Sequence, residues 1–216
     1  MHRLHDHQEE RLDTKGLVIN WSKPYDIFFS SILRFSESRI LELAKIKPGD
    51  AVLDVGCGPG SLSLRAKKLV GTTGSVAGID ASAKMIELAQ RKAAKSGLEV
   101  NFQNALIEAL PFPDNSFDVV MSRLVIHHLP GDLKLRGFAE MKRVLKPGGI
   151  CLAVDFDSSN SHLYGGIMKP FLSKMPMSKI DVKGYAPLFE KAGLSAVEYG
   201  PTGKRLLSFV RGSATD

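Results

Sequence analysis

The 216-residue sequence predicts an α/β fold: a Rossmann-like, doubly wound and mostly parallel sheet that ends in an antiparallel hairpin, with helices on both faces. Short apolar runs suited to buried strands recur from residue 51 onward, and helical stretches separate them. This alternation predicts right-handed crossovers between parallel strands. Near the C-terminus two strand-like runs flank a turn that contains Gly200 and Pro201, which predicts the closing hairpin.

The spacing of apolar residues places each predicted element. Core strands are expected at 51–55, 75–79, 99–102, 117–122 and 150–156, and hairpin strands at 195–199 and 205–210. Helices are expected at about 82–95, 132–146 and 183–192. Ser82 is the predicted cap of the first helix, and the Pro-Gly-Gly at 147–149 is predicted to stop the second.

Composition narrows the class of protein. Cys57 and Cys151 lie far apart without metal-ligand spacing, so neither a disulfide framework nor a metal site is predicted. The sequence lacks an apolar run long enough to span a membrane, and its first residues are too polar for a signal peptide. We therefore expect a cytoplasmic protein, either a monomer or a homodimer.

The basic character of the chain raises the question of an anionic partner. The net charge is +6 and the isoelectric point is about 9.3, values compatible with nucleic-acid binding. The basic residues, however, are scattered as short pairs, which favours an ordinary solvated surface. Nucleic acid is therefore not the expected partner, and a small-molecule substrate is.

A glycine-rich loop follows the first predicted strand, with Gly56, Gly58 and Gly60 in five positions. Such a loop lets backbone N–H groups approach a ligand closely, and Asp80, at the end of the next strand, is placed to accept hydrogen bonds from a ribose diol. Asp54, just before the loop, would repel a pyrophosphate but suits an ammonium group. The loop therefore favours a nucleoside that carries an amino acid over NAD.

Five ordered motifs span residues 48–156: DVGCGPG, the GID that ends at Asp80, EALPFPDNSFDVVMS, IHHLP and EMKRVLKPGG. With them the sequence resembles class I S-adenosylmethionine-dependent methyltransferases, especially the group similar to ubiquinone and menaquinone C-methyltransferases. WSKPYD at 21–26 also resembles the segment that covers the cofactor in that group. The resemblance implies S-adenosylmethionine as cofactor, S-adenosylhomocysteine as product, and methyl transfer to carbon, oxygen or nitrogen of a small apolar or aromatic molecule.

Carried over by position, the resemblance assigns residues to parts of the cofactor. Asp54 and the loop 56–60 would hold the methionine moiety, Asp80 the ribose hydroxyls, and Ala81 with Met85 one face of the adenine. The full set expected to contact the cofactor is Tyr25, Asp54, Gly56, Cys57, Gly58, Gly60, Asp80, Ala81, Met85, Leu106, Ile107, Arg123 and His128.

One of these positions departs from the pattern of the group. Where its members often have an acidic residue that binds the exocyclic amine of adenine, this chain has Leu106. The departure implies that stacking and backbone groups, such as the amide of Ile107, hold the adenine instead.

Candidate catalytic residues follow the fourth and fifth strands. His127 and His128 are expected at the rim where the methyl group projects, and one of them is a candidate general base, since histidine titrates near neutral pH. The alternative is that one orders the loop and the other packs beneath the cofactor. Asp155 and Asp157 could recruit Mg²⁺, but they lack a further ligand set, so no metal is expected.

We expect the chain to be one methyltransferase domain over residues 1–216. Its parts are an N-terminal tail and cap helix at 1–47, the cofactor core at 48–156, a substrate lid at 157–182, and a final helix and strands at 183–216. The methionine-rich stretch 167–177, with Phe28, Phe29 and Phe35, is either a lid over an apolar acceptor or packing for the terminal segments.

Two alternative functions stay open from the sequence. A tRNA or rRNA methyltransferase would account for the basic isoelectric point, although the aromatic and basic interleaving typical of RNA binding is missing. A methyltransferase-like protein with non-methyl chemistry is also compatible, because fold does not dictate function.

Overall fold

The computed structural model describes residues 37–157, 180–203 and 207–215, which build a sheet of seven strands. The strands are β1 Ala51–Val55, β2 Ser75–Asp80, β3 Asn101–Asn104, β4 Phe117–Arg123, β5 Leu145–Phe156, β6 Leu194–Pro201 and β7 Leu207–Ala214. Their order in space is β3-β2-β1-β4-β5-β7-β6. Strands β1 to β5 are parallel, and β7 pairs antiparallel with β5 and β6. The predicted fold class is confirmed.

The helical segments of the described residues cover both faces of this sheet. They are α1 at 37–43, α2 Ser61–Val70, α3 Ala83–Ser96, α4 Gly131–Val144 and α5 Ala186–Lys191, with 3₁₀ turns at Ile126–His128 and Val182–Tyr185.

Alternate side chains of each strand pack into two different apolar layers. On one face Val52 joins a buried cluster with Leu62 of α2, and residues of α1 complete it. On the other face Leu53 packs in a cluster with Phe138 of α4 and Phe189 of α5. Burying a side chain of this size contributes roughly 1.5–3 kcal/mol, so these two layers hold the sheet between its helices.

The chain reverses its direction of winding at β1. It passes from β1 to β2 and β3 on one side, then returns to place β4 and β5 on the other. A crevice forms where neighbouring connections leave in opposite directions, outside the carboxyl ends of the strands, and open α/β sheets bind ligands there. The end of β1 and the end of β4 therefore mark the candidate site.

Some predicted boundaries were wrong at their edges. Helix α4 ends at Val144, and β5 begins at once with Leu145 rather than at residue 150. Leu145 pairs with Phe117, whereas Ile150 pairs with Val119, so the intervening Lys-Pro-Gly-Gly bulges out of the ladder instead of ending a helix. β3 begins two residues later than predicted, because its ladder with β2 covers only the last four residues of β2.

Candidate functional site

The loop between β1 and α2 has a backbone that only glycine adopts readily. Gly56, Gly58 and Gly60 have φ values of 71°, 52° and 75°. A Cβ at Gly56 would lie 2.1 Å from Cγ2 of Val125, and a Cβ at Gly60 would lie 2.8 Å from Phe102. At Gly58 a Cβ would meet no atom within 4 Å. The loop is therefore tightly packed at its two ends and open at its middle glycine.

Asp80, at the end of β2, holds this loop in place. The N–H of Gly58 donates to Oδ2 of Asp80 at 2.8 Å, and the N–H of Ser82 donates to Oδ1 at 2.9 Å. Burial raises the pKa of the Asp80 carboxyl, against the two N–H bonds, which lower it. Ser82 is the N-cap residue of α3 as predicted, but its side chain makes no capping bond, so that part of the prediction was wrong.

Asp54 lies beneath the loop. It is 1% exposed, and Oγ of Ser63 donates to its Oδ2 at 2.6 Å. Burial raises the pKa of Asp54 to about 6, although the Ser63 bond and the charge of Arg123 act in the opposite direction. A direct contact of this carboxylate with the ammonium group of a ligand stays a prediction, since the described structure shows Asp54 buried and bonded to Ser63 of α2.

Arg123, at the end of β4, is part of an ion-pair cluster that the sequence did not reveal. Its Nη1 donates to Oε1 of Glu37 at 3.2 Å, while Nη1 of Arg65 donates to the other oxygen of Glu37 at 3.1 Å. Glu37 is 3% exposed. Only the tertiary structure brings α1 to β4, since Glu37 and Arg123 are 86 residues apart, and no local pattern marks Glu37.

The residues assigned to the adenine are distributed over two elements. Ala81 is half-buried and Met85 is buried on the first turn of α3. Leu106 is half-buried, and its carbonyl accepts the N–H of Ala109. The side chain of Ile107 belongs to the core under α4, so its backbone is the part that remains for a ligand. Their contacts with adenine stay predictions.

The structure separates the two histidines. The side chain of His127 is 6% exposed, and its role as a general base stays a prediction. Its Nδ1 lies 2.5 Å from Oδ1 of Asp155, and its backbone N–H donates to Oδ2 of the same carboxylate at 2.9 Å. Asp155 is fully buried and also accepts Tyr185 Oη at 3.2 Å and the N–H of Phe156 at 2.9 Å. Asp155 thus anchors His127 rather than facing a substrate.

His128 is half-buried, and its ring centroid lies 3.7 Å from that of His127. Burial and the neighbouring His127 lower the pKa of His128 from 6.5 to about 4, against the opposing charge of Asp155. The imidazole of His128 is therefore neutral at physiological pH, and its lowered pKa makes it a weak base there. His127 is therefore held by the protein, whereas the roles of both histidines in catalysis or in packing beneath a cofactor stay predictions.

Four further expectations concern a metal site, a membrane-spanning helix, Cys57, and the N-terminal and methionine-rich segments. Within the described ranges, no three histidine, cysteine or acidic side chains are grouped so that they could hold a metal ion. The described helices include none that is long and apolar enough to cross a bilayer. Cys57 is buried, and its N–H donates to the carbonyl of Ile79 at 2.8 Å. Tyr25, the three phenylalanines of the N-terminal segment and the stretch 167–177 lie outside the described residues.

These residues fit a nucleoside that carries an amino acid. The open space at Gly58 adjoins the carboxylate of Asp80, which is where a ribose can approach. The opposite charges of Asp54 and Arg123 lie at the neighbouring ends of β1 and β4, which suits a group with one ammonium and one carboxylate. Both of these features lie at the end of the sheet where the direction of winding reverses.

The fold is that of a class I methyltransferase. A crystal structure of a SAM-dependent methyltransferase from Aquifex aeolicus matches it with a TM-score of 0.68 and 24% identity, over 86% of this chain and 98% of that chain. A model described as "Methyltransferase domain" matches residues 52–149.

Relatives with similar sequences identify the family of methyltransferases more closely. The ubiquinone/menaquinone biosynthesis C-methyltransferase UbiE of Bdellovibrio bacteriovorus is 34% identical over 76% of this chain and 68% of its own length. The demethylmenaquinone methyltransferase of Bacillus licheniformis is 31% identical over 90% of this chain and 93% of its own. Two further UbiE relatives are matched over only 55% of their length. The chain belongs to the family of S-adenosylmethionine-dependent methyltransferases that includes these UbiE enzymes.

Proposed function

We propose that this protein transfers the methyl group of S-adenosylmethionine to a ring carbon of a small, apolar aromatic acceptor of the quinol type. The observation that carries the proposal is the similarity to a demethylmenaquinone methyltransferase over nearly the whole length of both chains. A quinol ring carbon is made nucleophilic by its hydroxyl groups, so the enzyme must position that carbon and accept one proton.

The cofactor would lie across the carboxyl ends of β1 and β2. In this proposal Gly56, Cys57, Gly58 and Gly60 supply backbone to the methionine and ribose, and Asp80 accepts the ribose hydroxyls. Asp80 now accepts an N–H from the loop and one from α3. Because ionised carboxylates have about four acceptor positions, Asp80 can keep both bonds and still accept from a diol.

Bound S-adenosylmethionine supplies an electrophilic methyl group: the acceptor carbon bonds to the methyl carbon, and the electron pair of the broken bond stays on sulfur. His128 is the proposed proton acceptor, since its neutral imidazole follows β4 at the edge of the site. His127 is a positioning residue, held by Asp155 and with its ring tilted against that of His128. The proton that leaves the acceptor therefore passes to His128.

We also infer a cytoplasmic enzyme that acts as a monomer or homodimer on a small molecule. The absence of a membrane-spanning helix from the described part of the chain is compatible with this location. Cell fractionation would test the location, and light scattering on the purified protein would test the assembly.

The function is tested with purified protein, S-adenosylmethionine that carries a trideuterated methyl group, and a short-chain demethylated naphthohydroquinone. We expect a product that gains one trideuteromethyl group on a ring carbon, established by mass spectrometry and carbon NMR. The matched control is the same quinol already methylated at that carbon, which should gain no label. Label found only on oxygen or nitrogen, or label in the control, would contradict C-methylation.

A further inference from the structure

Glu37 is a buried carboxylate outside the region that matches the methyltransferase model, and it joins three elements. It lies in α1 and is 3% exposed. One oxygen accepts Arg65 of α2, which is 41% exposed, and the other accepts Arg123 of β4, which is 12% exposed. Because a buried carboxylate is unfavourable without partners, the two arginines stabilise Glu37, and Glu37 in turn fixes Arg123.

Arg123 is placed at the loop that precedes α2. Val55 pairs with Ser122, so Arg123 lies level with Gly56, the first residue of the loop. In the described part of the chain, the side chain of Arg123 makes one hydrogen bond, to Glu37. A guanidinium has five N–H donors, and no buried side-chain nitrogen in that part lacks a partner. The remaining donors of Arg123 are therefore accessible to a ligand.

We propose that Arg123 binds the α-carboxylate of the cofactor's amino-acid end, and that Glu37 is the positioning residue that holds Arg123 for this contact. The inference rests on the proposed function in that it takes S-adenosylmethionine as the ligand. Carboxylates pair with guanidinium groups through short, charge-assisted hydrogen bonds. Asp54 lies close enough for the charge of Arg123 to act on its pKa, which places both signs of charge at this end of the site.

The test separates the amino-acid end from the rest of the ligand. S-adenosylhomocysteine and 5′-methylthioadenosine share adenosine and a thioether sulfur, but only the first has the amino acid. Calorimetry should show that Arg123→Gln weakens binding of S-adenosylhomocysteine at least tenfold, or about 1.4 kcal/mol. The dissociation constant of 5′-methylthioadenosine should change by less than about twofold, because that ligand offers no carboxylate for a charged hydrogen bond.

Glu37 is tested by a pair of variants. Glu37→Ala should weaken the binding of S-adenosylhomocysteine severalfold, because Arg123 loses its hydrogen-bond partner. Glu37→Gln keeps one oxygen that can accept from Nη1 of Arg123, so this variant should retain most of the affinity. Arg91→Gln is the control, since Arg91 is 69% exposed in a surface ion pair on α3. A purely structural role for Glu37 would weaken both ligands equally.

Four results would contradict the inference. Equal losses for the two ligands in Arg123→Gln, or no loss for either, would show that Arg123 does not bind the carboxylate. An unchanged ligand ratio in Glu37→Ala would remove the positioning role. If the wild-type protein bound neither adenosyl ligand, the proposed function would fail as well, so the two failures are distinguishable.

Discussion

The buried environment of Asp54 disfavours the ionised form of its carboxyl group. Because burial raises its pKa from the ordinary 3.8 to about 6, the folded state keeps this proton at pH values where the unfolded state has released it. The stability that the proton contributes is present below about pH 4 and is lost as the pH rises through about 6. At pH 7 the ionised Asp54 therefore costs about 3 kcal/mol of folding free energy.

Asp54→Asn should stabilise the protein and weaken cofactor binding. The amide keeps an oxygen that can accept the Ser63 hydroxyl and removes the buried charge, so we expect the free energy of unfolding at pH 7 to rise by about 1–3 kcal/mol. Urea unfolding between pH 4.5 and 7.5 measures this. The difference between variant and wild type should shrink toward the acid end. A constant difference across the range would mean that Asp54 is not the titrating group.

The two histidines should differ in kinetics. His128→Ala is expected to lower kcat, measured at saturating S-adenosylmethionine, about 100-fold, the usual scale of general-base catalysis. His127→Asn should instead lower the free energy of unfolding by about 1–3 kcal/mol, because Asp155 loses a buried partner.

The pH profile of the wild-type enzyme tests the same assignment. Because the pKa of His128 is lowered to about 4, kcat at saturating S-adenosylmethionine should stay level from pH 8 down to about 5 and fall only below that. Saturation is needed because protonation of Asp54 near pH 6 would weaken cofactor binding and so lower kcat/KM. An acid limb near pH 6.5 would instead indicate a histidine of ordinary pKa as the base.

The position of a single residue could be predicted from the sequence where the adjacent elements of the chain determine it. Asp80 follows a strand and precedes a helix, so its place beside the loop followed from local order. His127 could not be placed in the same way. Its burial depends on Asp155 and Tyr185, which lie 28 residues and more away and belong to other elements.

At the level of the elements, the loop between β1 and α2 separates packing from ligand access. Gly56→Ala should lower the free energy of unfolding by more than about 2 kcal/mol, because the new Cβ would lie 2.1 Å from Val125 at a positive φ. Gly58→Ala meets no protein atom and should cost only about 1–2 kcal/mol of backbone strain. Its Cβ would occupy the proposed ligand space and weaken S-adenosylhomocysteine.

Gly97→Ala is the matched control for this pair. Gly97 ends α3 with a φ of 62° and open space around it, so it should show the strain of Gly58→Ala and normal binding. Urea unfolding and calorimetry on the three variants give both readouts. Normal binding in Gly58→Ala would show that the ligand does not approach the middle of the loop.

Elements with a clear apolar period were predictable, and their ends were less so. β1 and β4 are short, mainly apolar runs, and both appeared nearly where expected. The start of β5 was missed because Pro147 and Gly148 normally end a helix, whereas here the ladder to β4 resumes around a bulge. A tertiary pairing overrode a local stop signal.

At the scale of the molecule, sheet order follows from the arrangement of apolar faces. Val52 and Leu53 lie in opposite apolar layers, so each layer needs helices on its own side of the sheet. Because the crossover connections are right-handed, helices on opposite faces place β2 and β4 on opposite sides of β1. This is why a candidate site at the end of β1 could be predicted from the sequence alone. The acceptor's binding surface could not, since it depends on segments without a repeating pattern.

The whole chain should respond to its cofactor as a single cooperative unit. A ligand at about 100 times its Kd adds about 2.7 kcal/mol to the folded state. For a chain of this length that corresponds to a rise in Tm of roughly 5–11 °C. We expect this shift with S-adenosylmethionine and with S-adenosylhomocysteine, measured by calorimetric unfolding at matched concentrations.

NAD is the control ligand, because it shares the adenosine but places a pyrophosphate where the amino acid would lie. Asp54 and the spacing of Gly56, Gly58 and Gly60 disfavour that group, so NAD should leave Tm unchanged. A shift with all three ligands would mean that adenosine alone drives binding and that the ends of β1 and β4 do not discriminate. A shift with NAD alone would contradict the assignment of the loop, since Asp54 would then tolerate a pyrophosphate.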